Sequence, residues 1–106
     1  MPPIVRTWSA RGTPEGVQRY CEEHFPGAVL PGLRDLDGFL GARVLVRTAD
    51  GRSEVVVETT WRSEQAIAAF AGDDLERAVV EPVVHELLDD VDERVSHHAV
   101  VLDERA

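Results

Sequence analysis

The chain contains no lysine, no asparagine and a single cysteine, Cys21. Without lysine there is no Schiff-base nucleophile and no phosphate-loop lysine. Without asparagine, any step that needs a carboxamide falls to Gln18 or Gln65, the two glutamines. One cysteine closes no internal disulfide, so a reducing cytoplasm is the expected compartment. No apolar run approaches the roughly 20 residues of a membrane span, so no membrane is expected. No basic stretch followed by an apolar one marks a secretory leader.

The 106 residues are 43% hydrophobic and 29% charged, the composition of a folded domain, and one domain over 1–106 is expected. The formal charge is −9, and it is unevenly spread. Residues 1–72 hold nine acids and eight arginines, whereas residues 73–106 hold eleven acids and three arginines. A phosphate backbone would be repelled, so no nucleic-acid partner is expected. The acidic C-terminal part reads as a solvated surface, with a docking face for a basic partner as the sharper alternative.

Ile4 to Ala10 alternates and is rich in β-formers, which predicts a first strand. Thr13-Pro14-Glu15 is a helix start: hydroxyl cap, proline at the first turn, then an acid. Val17, Tyr20, Cys21 and His24 share one face of that helix, and Pro26-Gly27 is expected to end it. A short extra turn is expected over 28–34. Phe39 to Thr48 and Ser53 to Trp61 read as two strands joined by a hairpin centred on Asp50-Gly51. Ser63 caps a helix with a buried face of Ala66, Ile67, Phe70 and Ala71, and residues 74–80 are expected to continue as helix. Residues 83–88 make a short helical piece, 89–93 an acidic loop, and 94–102 the last strand.

The order β-α-β-β-α-β is the ferredoxin-like plan: an α+β fold, a four-stranded antiparallel sheet with helices on one face. Strands two and three also carry apolar residues on the other face, which predicts a homodimer formed sheet to sheet.

Residues 4–8 (IVRTW), the stretch from Leu30 into strand two, the segment Trp61 to Gly72, and residues 74–82 and 92–101 resemble, in that order, the antibiotic-biosynthesis-monooxygenase-like group of dimeric α+β barrel proteins. The resemblance spans roughly residues 4–102. It implies one of several activities: cofactor-independent oxidation of polyketide phenols or anthrones, heme degradation, quinol oxidation, isomerisation, or none. Fold alone does not choose. The heme-degrading branch carries an asparagine on strand one, a tryptophan on the helix after strand three and an axial histidine. Here strand one lacks asparagine, Phe70 stands at the tryptophan and Val80 at the axial histidine. Valine does not bind iron, so heme degradation is disfavoured, and no cofactor or metal is expected.

The cofactor-independent branch needs an apolar cavity between sheet and helices, with a few polar groups to take a proton and hold a small aromatic substrate. The candidates for contact with substrate are Trp8, Arg43, Glu58 and Trp61 on strands, with Tyr20 and His24 from helix one. His97 and His98 are the candidate general bases; as strand neighbours they point to opposite faces and cannot share a metal. Arg43 and Glu58 fall opposite one another across the hairpin, as a cross-strand ion pair or an anchor for an anionic substrate. Trp8 and Trp61 also read as core, His24 as a helix-end cation, and His85 with Asp89 as a surface pair too small for a metal site. The expected function is thus a cofactor-independent monooxygenase acting on a small aromatic or polyketide-like molecule. The alternative is a non-catalytic ligand-binding or assembly module of the same fold.

Overall fold

A computed structural model describes residues 2–106. The first strand, β1, is Ile4–Gly12. Its even-numbered residues Arg6, Trp8 and Ala10 turn toward the helices, and Arg6 and Ala10 are buried. The Thr13 hydroxyl accepts from the Gly16 N–H at 3.1 Å and starts helix α1, Pro14–Arg19. The expected stop at Pro26-Gly27 does not occur. A π-helical segment, Tyr20–Val29, carries the chain past Pro26 and into α2, Leu30–Arg34. Proline lacks an N–H and its ring crowds the carbonyl one turn back. The wider turn accommodates it, with the Leu30 N–H donating to the Phe25 carbonyl five residues earlier.

Strands β2, Phe39–Ala49, and β3, Arg52–Trp61, form the expected hairpin. Asp50 and Gly51 both have positive φ, 55° and 76°, as a tight right-twisted hairpin requires. The register puts Arg43 opposite Glu58. The Ser63 hydroxyl caps α3, Glu64–Ala71, and Gly72 (φ 82°) ends it.

The helix expected over 74–80 is absent; residues 73–83 form an irregular cover. Its backbone bonds across space instead of along a helix. Ala78 N–H donates to the Glu93 carbonyl, Val95 N–H to the Glu76 carbonyl, and Arg77 bridges Arg94. The last strand starts later than expected for the same reason, because 94–95 pairs with the cover. Helix α4 is Val84–Leu87, the expected acidic loop contains the short β4, Asp90–Val91, and β5 is Ser96–Ala99.

Among the described residues the sheet therefore has five strands rather than four, in the order β2-β3-β1-β4 with β5 also on β1, and neighbouring strands run antiparallel. It is an α+β, ferredoxin-like arrangement. Trp61, Leu33, Ile67, Leu88, Val17, Val55 and Val84 fill the space between sheet and helices. Among the described residues no helix is long and apolar enough to cross a membrane.

Candidate functional site

A cavity of about 50 Å³ lies between the helix-facing side of the sheet and the helical layer. Strand periodicity sends Arg6 and Trp8 of β1, and Val57 and Thr59 of β3, into its floor. The π-helical segment supplies Tyr20, Phe25 and Val29, because spacings of five and four residues return to one side of its wide turn. Phe70 closes one side, and Val79, Val80 and Glu81 of the cover close the top.

Arg6 is the polar centre of the floor, only 4% exposed. Its Nη1 donates to the Leu75 carbonyl and to His97 Nε2 (3.0 Å), and its Nη2 donates to the Arg77 carbonyl at 2.7 Å. The guanidinium also sits over the Phe70 ring, 5.6 Å from the centroid. Arginine offers donors only, so His97 Nε2 must be the acceptor and the ring carries its proton on Nδ1. Burial, then the nearby Arg6 charge, push the His97 pKa below its ordinary value. Burial alone lowers that of Arg6.

Tyr20 packs between Trp8 and His24, with ring centroids 5.7 Å and 5.5 Å away. Burial raises its pKa, and the Glu81 charge adds to this, so the phenol keeps its proton. His24 Nε2 lies 3.3 Å from the Glu81 carboxylate, with the His24 side chain 9% and the Glu81 side chain 44% exposed. Trp8 Nε1 donates to the Asp92 carbonyl at 2.9 Å, which fixes the indole in the wall.

The structure thus brings together Trp8 and Tyr20 on the wall, with His24 behind Glu81 and His97 behind Arg6. The other sequence candidates lie elsewhere. Arg43 and Glu58 form an ion pair at 2.6 Å on the opposite sheet face, because their register parity is that of Leu45 and Val56. His98 pairs with Val5 and belongs to that face too, whereas His97 pairs with Arg6. Trp61 is fully buried in the core, donating to the Thr59 hydroxyl at 2.8 Å and stacked on Phe70. It reaches the cavity only through those two residues.

Arg6, Phe25 and Glu81 are among the lining residues that escaped the sequence reading. Arg6 had a signal: it alternates in phase with the apolar Ile4, Trp8 and Ala10. Phe25 was hidden by the assumption that Pro26 ends the helix. Glu81 sits in the irregular cover, where no periodicity points to a face. Among the described residues no group of three or more His, Cys, Asp or Glu is arranged to hold a metal ion.

No curated protein matches the chain. Among solved structures, a putative antibiotic biosynthesis monooxygenase from Bacillus cereus is similar at TM-score 0.70 and 23% identity, over 100% of this chain and 98% of that one. The heme-degrader MhuD of Mycobacterium tuberculosis is similar at TM-score 0.62 and 24% identity, over 96% and 99%. A dimeric ferredoxin-like protein from an uncultured marine organism is similar at TM-score 0.67 and 14% identity, over 98% and 100%. These likenesses establish the fold. A family model described as antibiotic biosynthesis monooxygenase matches residues 5–82, from β1 through α3 to the cover. The chain belongs to the antibiotic biosynthesis monooxygenase family.

Proposed function

We propose that the chain is a cofactor-independent monooxygenase acting on a small aromatic or polyketide-like substrate bound in the cavity under residues 73–83. The observation that carries this reading is the wall itself. Aromatic rings from Trp8, Tyr20, Phe25 and Phe70 surround a few converging polar groups, Arg6, Thr59 and Glu81. Glu81 is the proton acceptor we assign, since its carboxylate is on the wall and half open to solvent, with His24 behind it. His97 acts by holding Arg6, because its one basic nitrogen is already occupied. The substrate supplies the electrons. An anthrone CH₂ and dioxygen give a C=O and water, one oxygen atom entering each product.

The heme chemistry of the MhuD-like fold neighbour does not fit this donor set. Val80 and Phe70 offer iron nothing, and Tyr20, whose burial disfavours the phenolate, is a poor ligand.

A second reading, a non-catalytic binding module, is favoured by size. Apolar cavities that take up benzene are about 150 Å³, and this one is about 50 Å³ and lined by no histidine. A ring enters only if the cover yields.

The partner we propose is a second copy, packed through the open sheet face. Val5, Leu45 and Val56 put apolar surface there, and Leu45 is exposed. One fold neighbour is described as dimeric.

Oxygen uptake by metal-stripped protein with anthrones, naphthols and hydroquinones tests the oxygenase reading. Protein-dependent uptake without added cofactor, falling at least tenfold in Glu81→Gln, is expected; an acid–base role is commonly worth about 10²–10⁴-fold. Uptake no faster than the spontaneous rate across the panel moves the assignment to the binding module.

A further inference from the structure

We propose that the cavity selects a small aromatic anion, a carboxylate or a phenolate, and that Arg6 binds its charged oxygen. This rests on the reading of the cavity as the substrate site.

The argument starts from donors. A guanidinium has five N–H groups. Nη1 directs both of its hydrogens to Leu75 O and His97 Nε2, and Nη2 directs one to Arg77 O. One Nη2 hydrogen and the Nε–H have no acceptor among the described residues. Among those residues no side-chain nitrogen or oxygen is both sealed from solvent and without a partner. The Arg6 Nε is therefore not sealed from open space, and the void that Arg6 lines is the space beside it.

The charge points the same way. All three partners of Arg6 are neutral: two carbonyls and an imidazole held in its uncharged form by the bond it accepts. No acid lies within ion-pair distance of Arg6 among the described residues, although seven other arginines have one. A buried cation without a counter-ion is costly. An anion in the cavity would remove that cost while meeting both unspent donors with charge-assisted hydrogen bonds.

The lining fixes the rest of the ligand. The phenyl face of Phe70 lies against the guanidinium, and the indole of Trp8 and the phenol of Tyr20 line the same cavity, so the body next to the anion is a flat ring. Glu81, on the cover and half exposed, is the negative pole of the same cavity. It disfavours an anion at the outer end and so orients the ligand with its charge inward.

The test titrates the full chain by calorimetry, above neutral pH, with two anionic probes and their neutral counterparts. Benzoate is compared with benzamide, and 4-nitrophenolate with nitrobenzene. Wild type is expected to bind each anion at least about tenfold tighter than its counterpart, as one charge-assisted hydrogen bond provides. Arg6→Gln should erase the preference, anion and neutral probe then binding alike, and circular dichroism reports that the variant is folded. Arg6→Lys, which keeps the charge and loses the fork, should restore part of it. The tighter of the two anions identifies carboxylate or phenolate as the source. Equal affinity for anion and neutral probe overturns the proposal and leaves the cavity reading standing. A preference that survives in Arg6→Gln places the anion elsewhere and also overturns it. Binding of none of the four overturns both readings.

Discussion

His97 and Arg6 set each other's state. The guanidinium donates to Nε2, so protonating His97 breaks that bond and sets two cations side by side. Burial and then the Arg6 charge lower its pKa, while Glu76 and Glu64 pull the other way without reversing it. The unfolded ring binds a proton near its ordinary pKa of about 6.5 and the folded ring only at lower pH. The unfolded state thus holds more protons in that window, and stability falls as pH drops below about 6.5. Thermal melts of wild type and His97→Gln across that range check this: the glutamine oxygen still accepts from Arg6 but does not titrate. The acid-side loss should be smaller in the variant, and equal losses would mean that His97 does not carry it. The sequence placed His97 and His98 on opposite faces but did not say which face was which. Parity along a short last strand depends on its partner in β1, and that pairing is a tertiary fact.

Local chemistry made most elements legible. Thr13 and Ser63 mark their helix starts with caps the structure contains, and Asp50-Gly51 fixes the hairpin so firmly that Arg43 and Glu58 meet in register. Legibility ended where a local rule met a competing geometry. Pro26 ordinarily stops a helix, but here the chain widens into a π-helical course and goes on. That course is what puts Tyr20, Phe25 and Val29 on the cavity together. Residues 74–80 have helix-compatible side chains, yet their backbone pairs with 93–95. At the other end of the helical layer, α1 touches α4 so closely that a Cβ on Gly16 would lie 2.1 Å from the Leu87 carbonyl oxygen. Backbone there cannot rotate away as a side chain could. Gly16→Ala is therefore expected to destabilise by about 1–3 kcal/mol despite alanine's better helix propensity. Chemical denaturation measures it, and an unchanged midpoint would mean that the two helices separate freely.

The whole molecule has two unlike sheet faces. One is covered and holds the cavity; the other presents Arg43 and Glu58 as an ion pair around Leu45 and Val56. The apolar residues at both parities of β2 and β3, Leu45 beside Val44 and Val56 beside Val55, made this second face visible in the sequence. Light scattering should give wild type twice the chain mass, and Leu45→Glu the mass of one chain, since a charge at the centre of a dry interface has no partner. A wild type that already runs as one chain would refute the sheet-to-sheet dimer.

The cover over the cavity is held from below. Residues 73–83 have few backbone bonds of their own, and Arg6, rooted in the central strand, grips two of their carbonyls. Peptide groups secured this way open locally at a free energy well under that of global unfolding. Deuterium uptake by this stretch should therefore run far ahead of β1 and β3, and whatever fills the space beneath it would be recorded as a slowing of that exchange. The amides of 73–83 thus offer a label-free clock for occupancy, readable before any product has been identified.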